Sequence, residues 1–214
     1  FGFFPGGHEV SIGRGFPEIQ LFRLDASTGK EEKIAAVAIQ EGVSGFSFSD
    51  DVRTWATVDE AGKIELRELG SDRVLQQAQL PPGQLPIDLQ YHGRYVAVLS
   101  LDPELREAGP LRVGVWSLDP WQLRGVVVDE EPVPSPRIAI DAAGRRLVTG
   151  RADGSVSLFD ILDGSSRTMS GRHTADVIDS SFSRDGTLIA SGSSDGQAIV
   201  WDAESGRPVH ILEA

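Results

Sequence analysis

Three side chains near the C-terminus have the types that nucleophilic hydrolysis needs: His173 as base, Ser191 as hydroxyl nucleophile and Asp195 as the carboxylate that orients the base. Two acidic groupings, Asp129-Glu130-Glu131 and Asp102/Glu104/Glu107, offer the paired carboxylates that glycoside hydrolysis uses, although as loop charges they read more simply as solvated surface. The four histidines, His8, His92, His173 and His210, lie far apart with no metal-ligand spacing, so no metal site is expected. Gly29-Lys30 and Gly62-Lys63 lack an upstream glycine at phosphate-loop spacing and read as turn endings. There is no cysteine, which excludes disulfides and thiol chemistry. No cofactor is expected.

The composition narrows the partners. The formal charge of −12 repels phosphate backbones, which argues against nucleic-acid binding and would favour a basic protein surface. No apolar run approaches the roughly 20 residues of a membrane helix, and no signal peptide is visible. The only methionine is Met169, so the chain reads as a processed product or a piece of a longer one. A cytoplasmic location is the expectation.

Candidate side chains need elements to hold them, and those elements repeat. Gly144 through Asp160 matches Gly186 through Asp202 without a gap at a spacing of 42 residues, pairing Asp153 with Asp195 and Phe159 with Trp201. Earlier units fit the same template with more drift. Phe46–Arg67 aligns with Ser180–Trp201, and Phe3–Phe22 with Phe182–Trp201. The middle unit, Leu89–Ser100 and then Val115-Trp116, needs eight extra residues within Leu101–Pro110. Each unit reads as short alternating strands between Gly, Asp and Pro turns. In the last unit the strands are expected at Val177–Phe182, Leu188–Ser193, Ala198–Trp201 and Val209–Leu212. Four strands per unit of about 40–45 residues predict an all-β fold of about five β-propeller blades. The expected blades cover 1–39, 40–82, 83–128, 129–170 and 171–214, the first of them incomplete.

The last unit resembles the WD-repeat (Trp-Asp repeat) family at His173, Phe182-Ser183, Asp185-Gly186, Leu188-Ile-Ala-Ser191-Gly-Ser193, Asp195-Gly196 and Trp201-Asp202. The resemblance implies that His173, Ser191, Asp195 and Trp201 form a structural hydrogen-bonded tetrad, in which each link satisfies a buried polar group. That competes with the triad reading of the same residues, since a propeller holds them inside one blade, locked to Trp201. The other units depart from the pattern. The fourth has Thr149, Asp153 and Phe159 but Glu131 in place of His, and the second has Arg67 at the Trp position and Ala61 at the Asp position. The first has Phe22 and the third Trp116 where the last has Trp201. Trp55 and Trp116 are expected in the core, and Trp121, after Asp119-Pro120, in an exposed turn.

Propellers of this family most often have seven blades, so five imply an arc of a larger ring whose end blades could associate; a closed five-bladed ring is the rival. The family commonly assembles complexes or regulates attached domains, which implies a non-catalytic protein-interaction scaffold with a protein or peptide partner. A small-ring hydrolase of the glycosidase kind and a purely architectural scaffold are the alternatives. The insertion supplies Asp102, Glu104, Arg106 and Glu107 as candidate partner contacts. By the resemblance it emerges on the same face as the loops carrying His173 and Asp195, where Asp176 and Ser194 would join it.

Overall fold

A computed structural model describes residues 2–3, 9–12, 18–25, 28, 30–49, 51–71, 73–102, 104, 110–129 and 138–213. They form five four-stranded antiparallel sheets and, among the described residues, no helix. The first sheet is β1 (Gly2–Phe3), β2 (Glu9–Ile12), β3 (Glu18–Asp25) and β4 (Lys30–Ala38). The second is β5 (Val43–Phe48), β6 (Thr54–Asp59), β7 (Lys63–Glu68) and β8 (Val74–Gln79). The third is β9 (Leu85–His92), β10 (Tyr95–Leu101), β11 (Leu111–Leu118) and β12 (Trp121–Asp129). The fourth is β13 (Ile138–Ile140), β14 (Arg146–Gly150), β15 (Val156–Asp160) and β16 (Ser166–Thr168). The fifth is β17 (Val177–Phe182), β18 (Leu188–Ser193), β19 (Gln197–Asp202) and β20 (Pro208–Glu213). Strand order follows chain order in every sheet, so the fold is a five-bladed β-propeller arrangement of up-and-down meanders.

Side chains alternate across each strand, and each blade therefore has two apolar faces to bury. Four apolar cores lie between successive sheets. Ile19, Leu21 and Val37 meet Trp55; Val58, Ile64 and Leu66 meet Leu89, Val96 and Trp116; Leu99, Val113 and Val127 meet Ile138, Leu147 and Phe159; Val148, Leu158 and Met169 meet Val177, Ile189 and Trp201. Trp116, Phe159 and Trp201 thus all point toward the preceding blade. The blades interdigitate closely. A Cβ on Gly150 would overlap Val177 Cγ1 of the next blade and sit 2.5 Å from Val177 Cβ. Gly154, at φ +86°, lets its backbone approach the His173 carbonyl.

Register shows where the repeat is irregular. Val96 faces Trp116 as Ile189 faces Trp201. On the inner strand, however, Tyr91 faces Val96 across a turn two residues shorter than the one joining Phe182 to Ile189. The sequence alignment of Leu89 is therefore displaced by two positions, because the β9–β10 turn takes up the slack. The eight extra residues lie between β10 and β11, since Leu99 pairs Val113 where Gly192 pairs Ala198. Trp121, expected in an exposed turn, instead begins β12 and is half-buried, its indole N–H donating to the Gln77 carbonyl at 2.8 Å. The second blade draws it in by offering an unpaired carbonyl on its outer strand.

Candidate partner-binding surface

The last blade is built around one hydroxyl. Ser191 on β18 and Trp201 on β19 face the fourth blade, and Trp201 Nε1 donates to Ser191 Oγ at 2.8 Å. His173 Nε2 lies 2.8 Å from the same oxygen. The hydroxyl already accepts from the indole, so its one proton goes to Nε2, which leaves the imidazole proton on Nδ1. That proton points at Asp195, whose Oδ2 and Oδ1 lie 3.2 and 3.3 Å from Nδ1. Asp195 also accepts the Thr174 amide at 2.8 Å and the Gln197 amide at 2.9 Å. Burial pushes its carboxyl pKa up, but the Thr174 and Gln197 amides and His173 outweigh that and hold it below the usual range. The four residues are therefore brought together as a chain from indole to carboxylate.

This geometry also superficially matches a hydrolase triad, and access decides between the two. Ser191 and His173 are buried, and the indole N–H occupies the Ser191 oxygen. Both would-be triad side chains are thus withdrawn from the surface and tied within the blade, as the tetrad reading expects.

The other blades solve the same packing problem differently. In the fourth, Phe159 cannot donate, and Thr149 makes a long 3.4 Å contact to the Gly150 carbonyl. Asp153 turns to Ser155 instead, accepting its hydroxyl at 2.6 Å and its amide at 2.9 Å; Glu131 lies outside the described residues. In the second, Arg67 takes the Trp position opposite Trp55 and contacts Glu65 Oε2 through Nη2 at 2.5 Å and Nε at 3.1 Å, while Lys63 reaches Glu65 Oε1 at 2.5 Å. An ion triplet thus stands where the last blade has its tetrad. Sequence reasoning noticed Arg67 but missed Glu65, whose place two residues away on the same strand face was the available signal.

The connections after β10, β14 and β18 leave from one end of the blades. Asp102 and Glu104 follow β10, and the Glu104 amide donates to Asp102 Oδ1 at 2.9 Å. Arg106 and Glu107 lie outside the described residues. Asp176 and Ser194 sit together at the same end of the last blade, the Ser194 amide donating to the Asp176 carbonyl at 3.0 Å. Exposed carboxylates continue along this end at Glu41, between β4 and β5, and Glu60, after β6. Two of its cations are already engaged: Lys63 by Glu65, and Arg151 by both oxygens of Asp129 at 2.7 and 2.8 Å. Among the described residues, no group of three or more His, Asp or Glu side chains could hold a metal ion, and no helix is long and apolar enough to cross a membrane.

Comparison with known proteins agrees with this architecture. A family model described as "WD domain, G-beta repeat" matches residues 165–202, the stretch that includes Ser191, Asp195 and Trp201. The chain is 24% identical over 133 residues to the THO complex subunit 6 homolog of Danio rerio, covering 58% of this chain and 41% of that protein. It is 40% identical over 72 residues to the WD repeat-containing protein SL1-17 of Schistosoma mansoni, covering 34% of this chain and 24% of that protein. The chain thus spans less than half the length of either relative. With five four-stranded blades, the tetrad and a matching repeat at residues 165–202, the chain is similar to WD-repeat β-propellers and carries a WD repeat in its last blade.

Proposed function

We propose that this chain is a non-catalytic interaction scaffold that holds a protein or peptide carrying a basic segment. The observation that carries the reading is the end of the blades bearing Glu41, Glu60, Glu104 and Asp176, whose carboxylates are exposed while Lys63 and Arg151 are committed to other partners. Such a surface accelerates encounter with a cationic partner and fixes its register. Asp102, which follows β10, extends the same surface. The Danio rerio relative is a THO complex subunit homolog by name, which supports an assembly role. The sealed Ser191 supports the absence of hydrolase activity.

The test is to cross-link a photoreactive residue at position 104 to its partner in cells, purify that partner and measure its affinity by calorimetry. Glu104→Lys with Asp176→Lys is expected to weaken binding at least tenfold, more so at low salt. Unchanged affinity in a folded double variant overturns the site. Turnover of an ester, peptide or glycoside that disappears in Ser191→Ala, with the fold intact, overturns the scaffold reading itself.

A further inference from the structure

Register gathers a second set of charged side chains where the fourth blade meets the fifth, at the end of the blades opposite the acidic one. Arg146, at the start of β14, pairs Asp160 at the end of β15, and Leu158 pairs Arg167 on β16. Paired residues, and residues two apart on one strand, share a face of the sheet. Both guanidiniums therefore lie on the side that meets the fifth blade, around a recess of about 290 Å³. The buried Leu158 and Phe159 back this recess, and Ser165 and Ser166 edge it. Its one carboxylate is already committed. Asp160 accepts Arg145 Nε at 2.8 Å and the amides of Leu162 and Asp163 at 2.9 and 3.4 Å. The remaining polar side chains are donors, and two of them are fixed in place. Arg146 donates through Nε to Asp141 at 2.8 Å and through Nη2 to the Gly186 carbonyl at 2.7 Å, and its guanidinium lies 5.5 Å from the Phe182 ring centre. Arg167 donates to the carbonyls of Ala203 and Glu204. A guanidinium carries more N–H groups than these two bonds use, so each arginine keeps donors to offer. Asp141 balances the charge of Arg146, whereas Arg167 has no ion pair among the described residues. The nearby Asp202 is taken up by the Ser205 amide and hydroxyl at 2.7 and 2.6 Å.

We propose that this recess binds one oxyanion group, a carboxylate or a phosphate, between Arg146 and Arg167, with the Ser165 and Ser166 hydroxyls as further donors. Guanidinium forks match the paired oxygens of such groups. The volume falls at the lower edge of the roughly 300–1,000 Å³ of small-molecule sites, which suits a free ion or the head of an acidic side chain rather than a cofactor. Both arginines are already anchored on the fifth blade, so little side-chain freedom is lost on binding. Occupancy in turn ties the fourth blade more firmly to the turn between β19 and β20, which holds Ala203 and Glu204. The inference is independent of the acidic end of the blades and survives if that surface binds nothing.

The experiment titrates the chain with inorganic phosphate, and separately with a capped glutamate-containing peptide, against sodium chloride at equal ionic strength. It follows the Nε–H NMR signals of Arg146, Arg167 and, as a reference, the exposed Arg53. Saturable shifts of Arg146 and Arg167, with Arg53 unmoved, are expected. Arg167→Gln is expected to weaken binding at least tenfold, the loss of one charge-assisted contact. Arg53→Gln, which deletes the same charge from the β5–β6 turn, should leave binding unchanged. Should Arg167→Gln fail to fold, Ser165→Ala with Ser166→Ala serves instead and is expected to weaken binding about threefold. Tighter binding of the peptide assigns the anion to a protein segment, and tighter binding of phosphate assigns a free ion; either supports the site. Shifts that do not saturate with either probe, equal losses in Arg53→Gln and Arg167→Gln, or affinity unchanged in the folded variants of the recess overturn it.

Discussion

Trp201 Nε1 lies 2.8 Å from Ser191 Oγ, and both residues are buried at the junction of the fourth and fifth blades. The indole there does two jobs. Its ring fills the core with Ile189, Val177 and Met169, and its N–H anchors the proton chain through Ser191 to His173 and Asp195. Trp201→Phe keeps most of the ring and deletes the donor. It is expected to cost about 1–3 kcal/mol, measured by urea denaturation. In a double-mutant cycle, Ser191→Ala should cost much less in the Phe background than in the parent. Additive costs would show that the two side chains are energetically independent.

The interdigitation of Gly150 with Val177 gives a steric prediction. Gly150→Ala inserts a methyl group where Val177 already packs, so it is expected to destabilise the chain by about 1–3 kcal/mol through overpacking. Adding Val177→Ala should recover part of that loss, although Val177→Ala alone is itself destabilising. A Gly150→Ala variant with unchanged thermal stability would mean that the two blades are farther apart than described.

The fifth blade was the most legible in the sequence because its key residues carry recognisable chemistry at fixed offsets: Gly186 turns, Ser191 links the indole to the imidazole, and Trp201 donates. Its strands lie where expected, with β19 and β20 each longer by one residue at either end. The second blade was legible only as strands. Its Glu65–Arg67 pair performs the stapling role with different chemistry, and nothing in a pattern built on Trp and His points to a carboxylate. The β9–β10 turn was misplaced because a shorter hairpin leaves the alternation on both strands intact and shows only in the pairing. The partner surface was legible as an insertion and as charge. Which of those charges remain uncommitted depends on side-chain pairing that spacing does not encode.

Glu65 makes the stability of the second blade depend on acid. Burial raises its pKa, but hydrogen bonds from Lys63 and Arg67 and their charges lower it further, and the net position is below the usual carboxylate value. A folded-state pKa below the unfolded one means that the group stabilises the chain fully above the unfolded pKa of about 4.3. That contribution is lost as the pH falls through the lower folded value. Glu65→Gln is expected to cost about 1–3 kcal/mol at pH 7, a discounted range because Lys63 is partly solvated. Its stability should fall less between pH 6 and pH 3 than that of the parent. Parallel pH profiles would remove Glu65 from the account.

Asp185 offers a direct check on the β17–β18 hairpin of the last blade. The Ser183 hydroxyl, the Thr187 amide and the Thr187 hydroxyl all donate to its carboxylate and hold its pKa down to about 2. Each of those bonds exists only when the β17–β18 turn is closed. Side-chain carboxyl NMR should follow Asp185 to a midpoint near 2, and Ser183→Ala should raise that midpoint. An Asp185 that titrates near 4, the range of an unperturbed Asp side chain, would show that the turn is open in solution.

Asp129 and Arg151 tie three blades together at the acidic end, and separating charge from packing there is the most demanding test of the fold. Asp129 closes the outer strand of the third blade, Arg151 follows β14 of the fourth, and the Arg151 carbonyl accepts the amide of Val177 in the fifth at 3.0 Å. The guanidinium contacts both Asp129 oxygens through one nitrogen, while its Nε is buried without a partner among the described residues. Asp129 is 5% exposed and Arg151 19% exposed at the side chain, so the pair is largely withdrawn from water. Removing one partner leaves the other charge uncompensated, whereas removing both also removes the desolvation cost. Asp129→Ala alone is expected to destabilise by about 2–4 kcal/mol, below the fully buried limit because Arg151 keeps some contact with solvent. Asp129→Ala combined with Arg151→Met should cost less than Asp129→Ala alone. Chemical denaturation of the two single variants and the double variant closes the cycle. If the double variant is as unstable as the sum of the singles, the pair contributes through two separate environments, and the junction between the third and fourth blades is held by the Leu99–Phe159 core alone.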